Sequence, residues 1–210
     1  MELREALDRV AEIRRRMAEA ETFRGYRAVP AACAGLLAVV AGLLQSSFVP
    51  DPAGAALDYV LFWGTVAALS LGVCIVVMWL RDRAARARGA APVTRSGVAP
   101  LVPCLVAGAC VTVVLVRLAP EAAWLLPGLW QLFFSQGLFA SCRTLPRPLF
   151  AVPSFYLAAG LATLCLARGG HALSPFAMAL PFGAGQLLAA ALLYWTLERH
   201  DRTEETEAED

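Results

Sequence analysis

The stretch Leu129–Phe139 reads LWQLFFSQGLF and places Gln131, Ser135 and Gln136 inside a hydrophobic run. A further glutamine, Gln186, lies in LPFGAGQLL. These are neutral donors and acceptors. They can hold a small neutral or lipidic molecule, or they can tie helices together, because an amide in hydrocarbon is costly unless paired. Counted from the outer ends of their runs, Gln131 and Gln186 are expected at similar depth. Ser135 falls one helical turn from Gln131, and Gln136 points elsewhere. The residues leave both uses open, helix packing and a small polar pocket. Pro127 and Pro181 can loosen their helices beside the layer, as a pocket would require.

Other chemistry is thin. His171, in RGGHALSP, and His200 fall on opposite sides of a hydrophobic run, so one chain cannot bring both to one metal. Ser141–Cys142 has no histidine at its depth to activate it. Cys33, Cys74, Cys104, Cys110, Cys142 and Cys165 form no CxxC pair and sit in or at the ends of apolar runs, where cysteine acts as a small hydrophobe. HExxH, GxSxG and Walker patterns are missing. No acid, arginine or histidine lies well inside a run, which counts against an ion-driven transporter. The expectation is a non-enzymatic chain with no catalytic, cofactor-binding or metal-binding residues and no cofactor.

The elements that carry these residues follow from composition. Of the 210 residues, 59% are hydrophobic, above the ~45–50% apolar content of soluble domains. The mean hydropathy is +0.60. All 18 basic residues are arginine, which with the abundant alanine points to a GC-rich bacterial genome. A membrane-spanning helix needs about 20 apolar residues, and six runs qualify: 28–48, 57–80, 97–116, 122–142, 149–167 and 174–197. None alternates as a barrel strand would. The fold class is therefore all-α, a polytopic membrane protein with six transmembrane helices in a compact bundle (28–197). A cytoplasmic amphipathic helix (1–27) precedes it, and an acidic tail (198–210), expected to be disordered, follows.

Arginines orient the bundle. With the N-terminus in the cytoplasm, 16 lie on the inner side and 2, Arg117 and Arg168, on the outer. Both termini are thus expected inside, in a bacterial inner membrane. Tyr59, Trp63 and Trp124 fall near the outer interface, and Trp79, Tyr194 and Trp195 near the inner. Gly64, Ala68 and Gly72, like Ala34, Ala38 and Gly42, form small-residue ladders suited to close helix packing. The opening patterns of the odd-numbered runs, and LPGLWQL against LPFGAGQLL, suggest three duplicated hairpins. The charged segment ahead of the first run is too long and too acidic for a signal peptide.

Leu3, Leu7, Val10, Ile13 and Met17 recur at helical spacing and form an apolar stripe. Six acids among the first 21 residues argue against plain adsorption to anionic lipid. The stripe can fold back on the bundle, pair with its own copy or dock a cytoplasmic protein. Direct nucleic-acid binding is not expected.

LWQLFFSQGLFASCRTLPR (129–147), FYLAAGL (155–161), SPFAMALPFGAGQLLAAALLYWTLER (174–199) and EIRRRMAEAETFRG (12–25) resemble a set of uncharacterised six-span bacterial inner-membrane proteins. The resemblance implies the six-span fold and brings no activity with it. Such proteins are often encoded beside winged-helix regulators, which implies a cytoplasmic partner. The expected function is docking or regulating such a partner, or sensing membrane state. The alternative is a facilitator or binder that uses the polar layer.

Overall fold

Residues 28–87, 100–142 and 147–198 are described in the structure, a computed structural model. The stripe Leu3–Met17, the segment 88–99 with its arginines and the tail from residue 199 lie outside them.

Proline sets several of the boundaries, since it lacks an N–H and suits a first helical turn. The helices are α1 (Ala28–Phe48), α2 (Ala56–Ala87), α3 (Leu101–Leu118), α4 (Leu126–Ser141), α5 (Ala151–Leu166) and α6 (Pro175–Leu193). Pro120 opens a 3-10 turn (Pro120–Leu125) ahead of α4, whose own first turn holds Pro127; Pro175 opens α6. A π-helical turn, Tyr194–Glu198, ends the last helix. No strand occurs among the described residues. Among the described residues, five helical stretches are long and apolar enough to cross a membrane: Ala28–Phe48, Ala56–Leu80, Leu101–Leu118, Arg147–Leu166 and Pro175–Thr196. The remaining helix, α4, has 16 residues, about 24 Å at 1.5 Å per residue.

Neighbours in space follow the order α1–α6–α5–α4–α3–α2, and α2 and α3 touch lightly to close the ring. Glycine fixes the tightest seams. Gly42 of α1 faces Ala179 of α6 so closely that a Cβ would overlap it, and Gly35 lies against Gly183. Gly128 of α4 and Gly160 of α5 face one another, each within 3.1 Å of the other's carbonyl oxygen were a Cβ present. Gly108 of α3 seats Phe133, and Gly137 of α4 takes Leu101. These pairings run antiparallel around the ring.

The ladder Gly64–Ala68–Gly72 departs from the expectation of close packing. Among the described residues nothing lies within 4 Å of where a Cβ would stand on Gly64 or Gly72, and Ala68 is exposed. In α1 the packed stripe is Gly35–Ala38–Gly42, one residue out of step with the expected start at Ala34. Tyr59 and Trp63 are packed inside the bundle, at 0% and 3% exposure. They form one core cluster with Ala41, Val49, Leu173 and Met178, against Phe62 and Trp130. Two aromatics near helix ends pair with arginine: Arg83 lies over Trp79 at 5.4 Å and Arg168 over Trp124 at 5.1 Å, within cation–π range.

Candidate functional site

Four polar side chains were expected in one layer, and the structure separates them. Gln131 is fully buried. Its Nε2 donates to the Ala177 carbonyl at 2.8 Å, and Thr163 Oγ1 donates to its Oε1 at 3.3 Å. One amide thus joins α4, α5 and α6. The choice of Ala177 has a local cause. Pro181 stands inside α6, and a proline has no N–H for the carbonyl four residues before it. That carbonyl is Ala177's, and the glutamine supplies the missing donor.

Ser135, also fully buried, donates to the Pro153 carbonyl of α5 at 2.8 Å. A second proline repair lies below it. Pro153 cannot donate to Leu149, and Cys142 Sγ stands 3.8 Å from the Leu149 carbonyl oxygen. Gln136 is exposed on the outward side of α4. Gln186 is half-buried and lies nine residues beyond Ala177 on α6, about 13 Å along the axis. Gln131 and Gln186 therefore lie at different depths, and the four residues do not form one layer.

Gln45 went unnoticed in the sequence. It is 1% exposed. Its Nε2 donates to the Leu173 carbonyl at 2.9 Å, and its Oε1 accepts from Trp63 Nε1 at 2.8 Å. It links α1, α2 and the loop between α5 and α6. Leu173 has φ +56°, a left-handed conformation that costs a side-chain-bearing residue roughly 1–3 kcal/mol. Burial of its side chain and the bond from Gln45 hold it there. The only sequence signal was a polar residue before SSF at the end of the first run, where a solvated edge is the ordinary reading. A smaller relay joins α3 to α4: Trp130 Nε1 donates to Thr112 Oγ1 at 2.8 Å, and Thr112 donates to the Gly108 carbonyl at 2.7 Å.

Among the described residues, the buried hydroxyls of Tyr59 and Tyr156 close no hydrogen bond. Tyr156 sits among Phe134, Phe155 and Phe182, with ring centroids 4.9, 5.7 and 5.4 Å away. Gln186 is the amide beside its hydroxyl.

All six cysteines are free thiols. Among the described residues no group of three or more His, Cys, Asp or Glu side chains is placed to hold a metal. His171 is exposed in the loop before α6. No family model, curated protein or solved structure matches the chain, so the resemblance of the 129–147 and 174–199 segments gains no family from these comparisons.

Proposed function

We propose that this chain is a non-enzymatic protein of the bacterial inner membrane with six spans and both termini in the cytoplasm. It docks or regulates a cytoplasmic partner, or senses membrane state, through its inner face. One observation carries the reading. The amides of Gln45 and Gln131 and the hydroxyl of Ser135 are spent on junctions between helices, so the polar chemistry of the spans builds the bundle. The patterned features left over are the N-terminal stripe and the inner arginines. The sixth span is α4, which packs between α3 and α5 and touches α6.

The test is mild crosslinking in native membranes followed by affinity purification, comparing the full chain, a chain lacking residues 1–24, and Leu7→Arg/Ile13→Arg. A soluble protein recovered with the full chain and lost from both variants is the expected result. Recovery of the bundle alone from all three, at equal folded yield, defeats the docking reading.

A second reading, a facilitator or binder of a small neutral or lipidic molecule, is favoured by one feature. Among the described residues, the buried hydroxyls of Tyr59 and Tyr156 have no geometrically closed hydrogen bond.

A further inference from the structure

The six helices fall into two triples by how they are joined. In one, α1 packs along α6 and takes α2 on its other side. In the other, α4 packs along α5 and takes α3. Within each triple the joints are small-residue seams and hydrogen bonds. Gly42 meets Ala179, Gly128 meets Gly160 and Gly137 meets Leu101, while Trp63 donates to Gln45 and Trp130 to Thr112. Between the triples the contacts are lighter and mostly side chain on side chain. On one side Phe134 and Tyr156 meet Phe182, and Cys142 and Leu149 meet Leu193. The loop 167–174 joins the triples on this side and carries two left-handed residues, Gly169 and Leu173. On the other side α2 and α3 only touch. There Tyr59 of α2 stacks on Trp130 of α4, with centroids 6.3 Å apart and planes 10° from parallel.

Two polar groups at the junction of the triples act in opposite directions. Gln131 of α4 donates to the Ala177 carbonyl of α6 and holds the triples together. The Tyr59 hydroxyl is fully buried and, among the described residues, closes no hydrogen bond. A phenylalanine would keep the stack on Trp130 without burying a hydroxyl, so this oxygen disfavours the closed arrangement. Tyr59 lies within the first turn of α2, at the end of an apolar span. Parting of the triples there brings its hydroxyl to water or to headgroup oxygens.

We propose that the bundle is a two-state clamp: the triples α2–α1–α6 and α3–α4–α5 swing about the α5–α6 side and part between α2 and α3, with the Gln131–Ala177 bond favouring the closed state and the buried Tyr59 hydroxyl the open one. A lost bond and a relieved hydroxyl are of similar size, so neither state overwhelms the other. Hinges of this kind absorb their backbone change in a few loop residues, and 167–174 supplies them. The clamp deepens the sensing reading above, for which a two-state element is required, and rests on that reading only for its use.

The test is pulsed electron resonance on the full chain in dioleoyl phosphatidylcholine nanodiscs, with the six free cysteines replaced by alanine. Nitroxides are placed at Leu61→Cys and Val113→Cys, exposed positions on α2 and α3. The expected result is two distance populations. Tyr59→Phe lowers the ratio of the longer to the shorter about fivefold, and Gln131→Leu raises it about as much. A control pair within one triple, Leu43→Cys on α1 and Leu180→Cys on α6, gives a single distance throughout. A single distance between α2 and α3 in the parent and both variants overturns the clamp. Two populations whose ratio ignores Tyr59→Phe and Gln131→Leu overturn it as well. So does a control pair that splits alongside, because the bundle then loosens as a whole. Exchange into thinner dimyristoyl phosphatidylcholine bilayers tests the use in sensing. Helices that tilt apart span less height, so the longer population should grow there. Two populations that obey the substitutions and ignore the lipid keep the clamp and remove it from sensing.

Discussion

Gln131 stands in for a backbone amide. The carbonyl of Ala177 loses its helical donor because residue 181 is proline, and the glutamine reaches it from another helix. In hydrocarbon no water can take that place. Gln131→Leu is therefore expected to cost about 1–3 kcal/mol, read as reversible unfolding in mixed detergent. Pro181→Ala should recover much of that loss in the double variant, because an alanine at 181 restores the N–H to Ala177. A double-mutant cycle measures this coupling, and strictly additive effects would refute the link. Gln45→Leu should release the Leu173 carbonyl and the Trp63 indole together. The expected sign is a comparable loss of stability, with faster amide hydrogen exchange in the loop 167–174. Unchanged exchange there would show that Leu173 keeps its φ of +56° without help. Gln131 was visible in the sequence because it interrupts a long apolar run. Its link to Pro181 was not, because it depends on which turn of α6 faces α4. Gln45 was hidden by its place at the end of α1, where polar residues ordinarily meet headgroups.

The helices divide into a tightly joined set and a loosely joined one. α1 and α6 meet along a seam of small residues, Gly35 and Gly42 against Ala179 and Gly183. α4 and α5 meet at Gly128 and Gly160. In lipid such contact is driven by packing, with small side chains letting backbones approach. α2 is anchored chiefly in its N-terminal half by Tyr59 and Trp63, and among the described residues nothing lies against the Gly64–Gly72 face. A pair of valine substitutions separates the two cases. Gly42→Val should overpack its seam at a cost of about 1–3 kcal/mol or more. Gly72→Val should lie within about 0.5 kcal/mol of the parent, as an unencumbered surface site does. Equal destabilisation by the two in the same unfolding assay would mean that α2 has a neighbour on that face. Small-residue spacing marked both ladders equally in the sequence. Spacing records which residues could pack, while the partner is chosen by the three-dimensional order of helices.

At the scale of the molecule, hydropathy made the runs legible, and charge gave an orientation. The ring order was not legible: the first helix takes the last as its main neighbour, and glycine register rather than sequence proximity decides that. The open point of topology is α4, whose 16 residues, about 24 Å of helix, fall short of a hydrocarbon core of about 30 Å. The 3-10 turn ahead of it and Cys142 after it lengthen the helical stretch. Its arginine context agrees with a crossing, because Arg143 and Arg147 then join the inner set. Cysteine accessibility decides the matter. In a chain whose six free cysteines are replaced by alanine, Asp51→Cys and His171→Cys occupy exposed loop positions. If α4 crosses, a membrane-impermeant maleimide labels both in spheroplasts, and a cysteine placed in the tail is labelled only after permeabilisation. If α4 turns back, every later segment inverts. Asp51→Cys is then labelled, His171→Cys is protected, and the tail becomes accessible from outside. The arginine pattern favours the first outcome, because inversion after α4 would place Arg143, Arg147, Arg199 and Arg202 on the outer side and leave Arg168 inside.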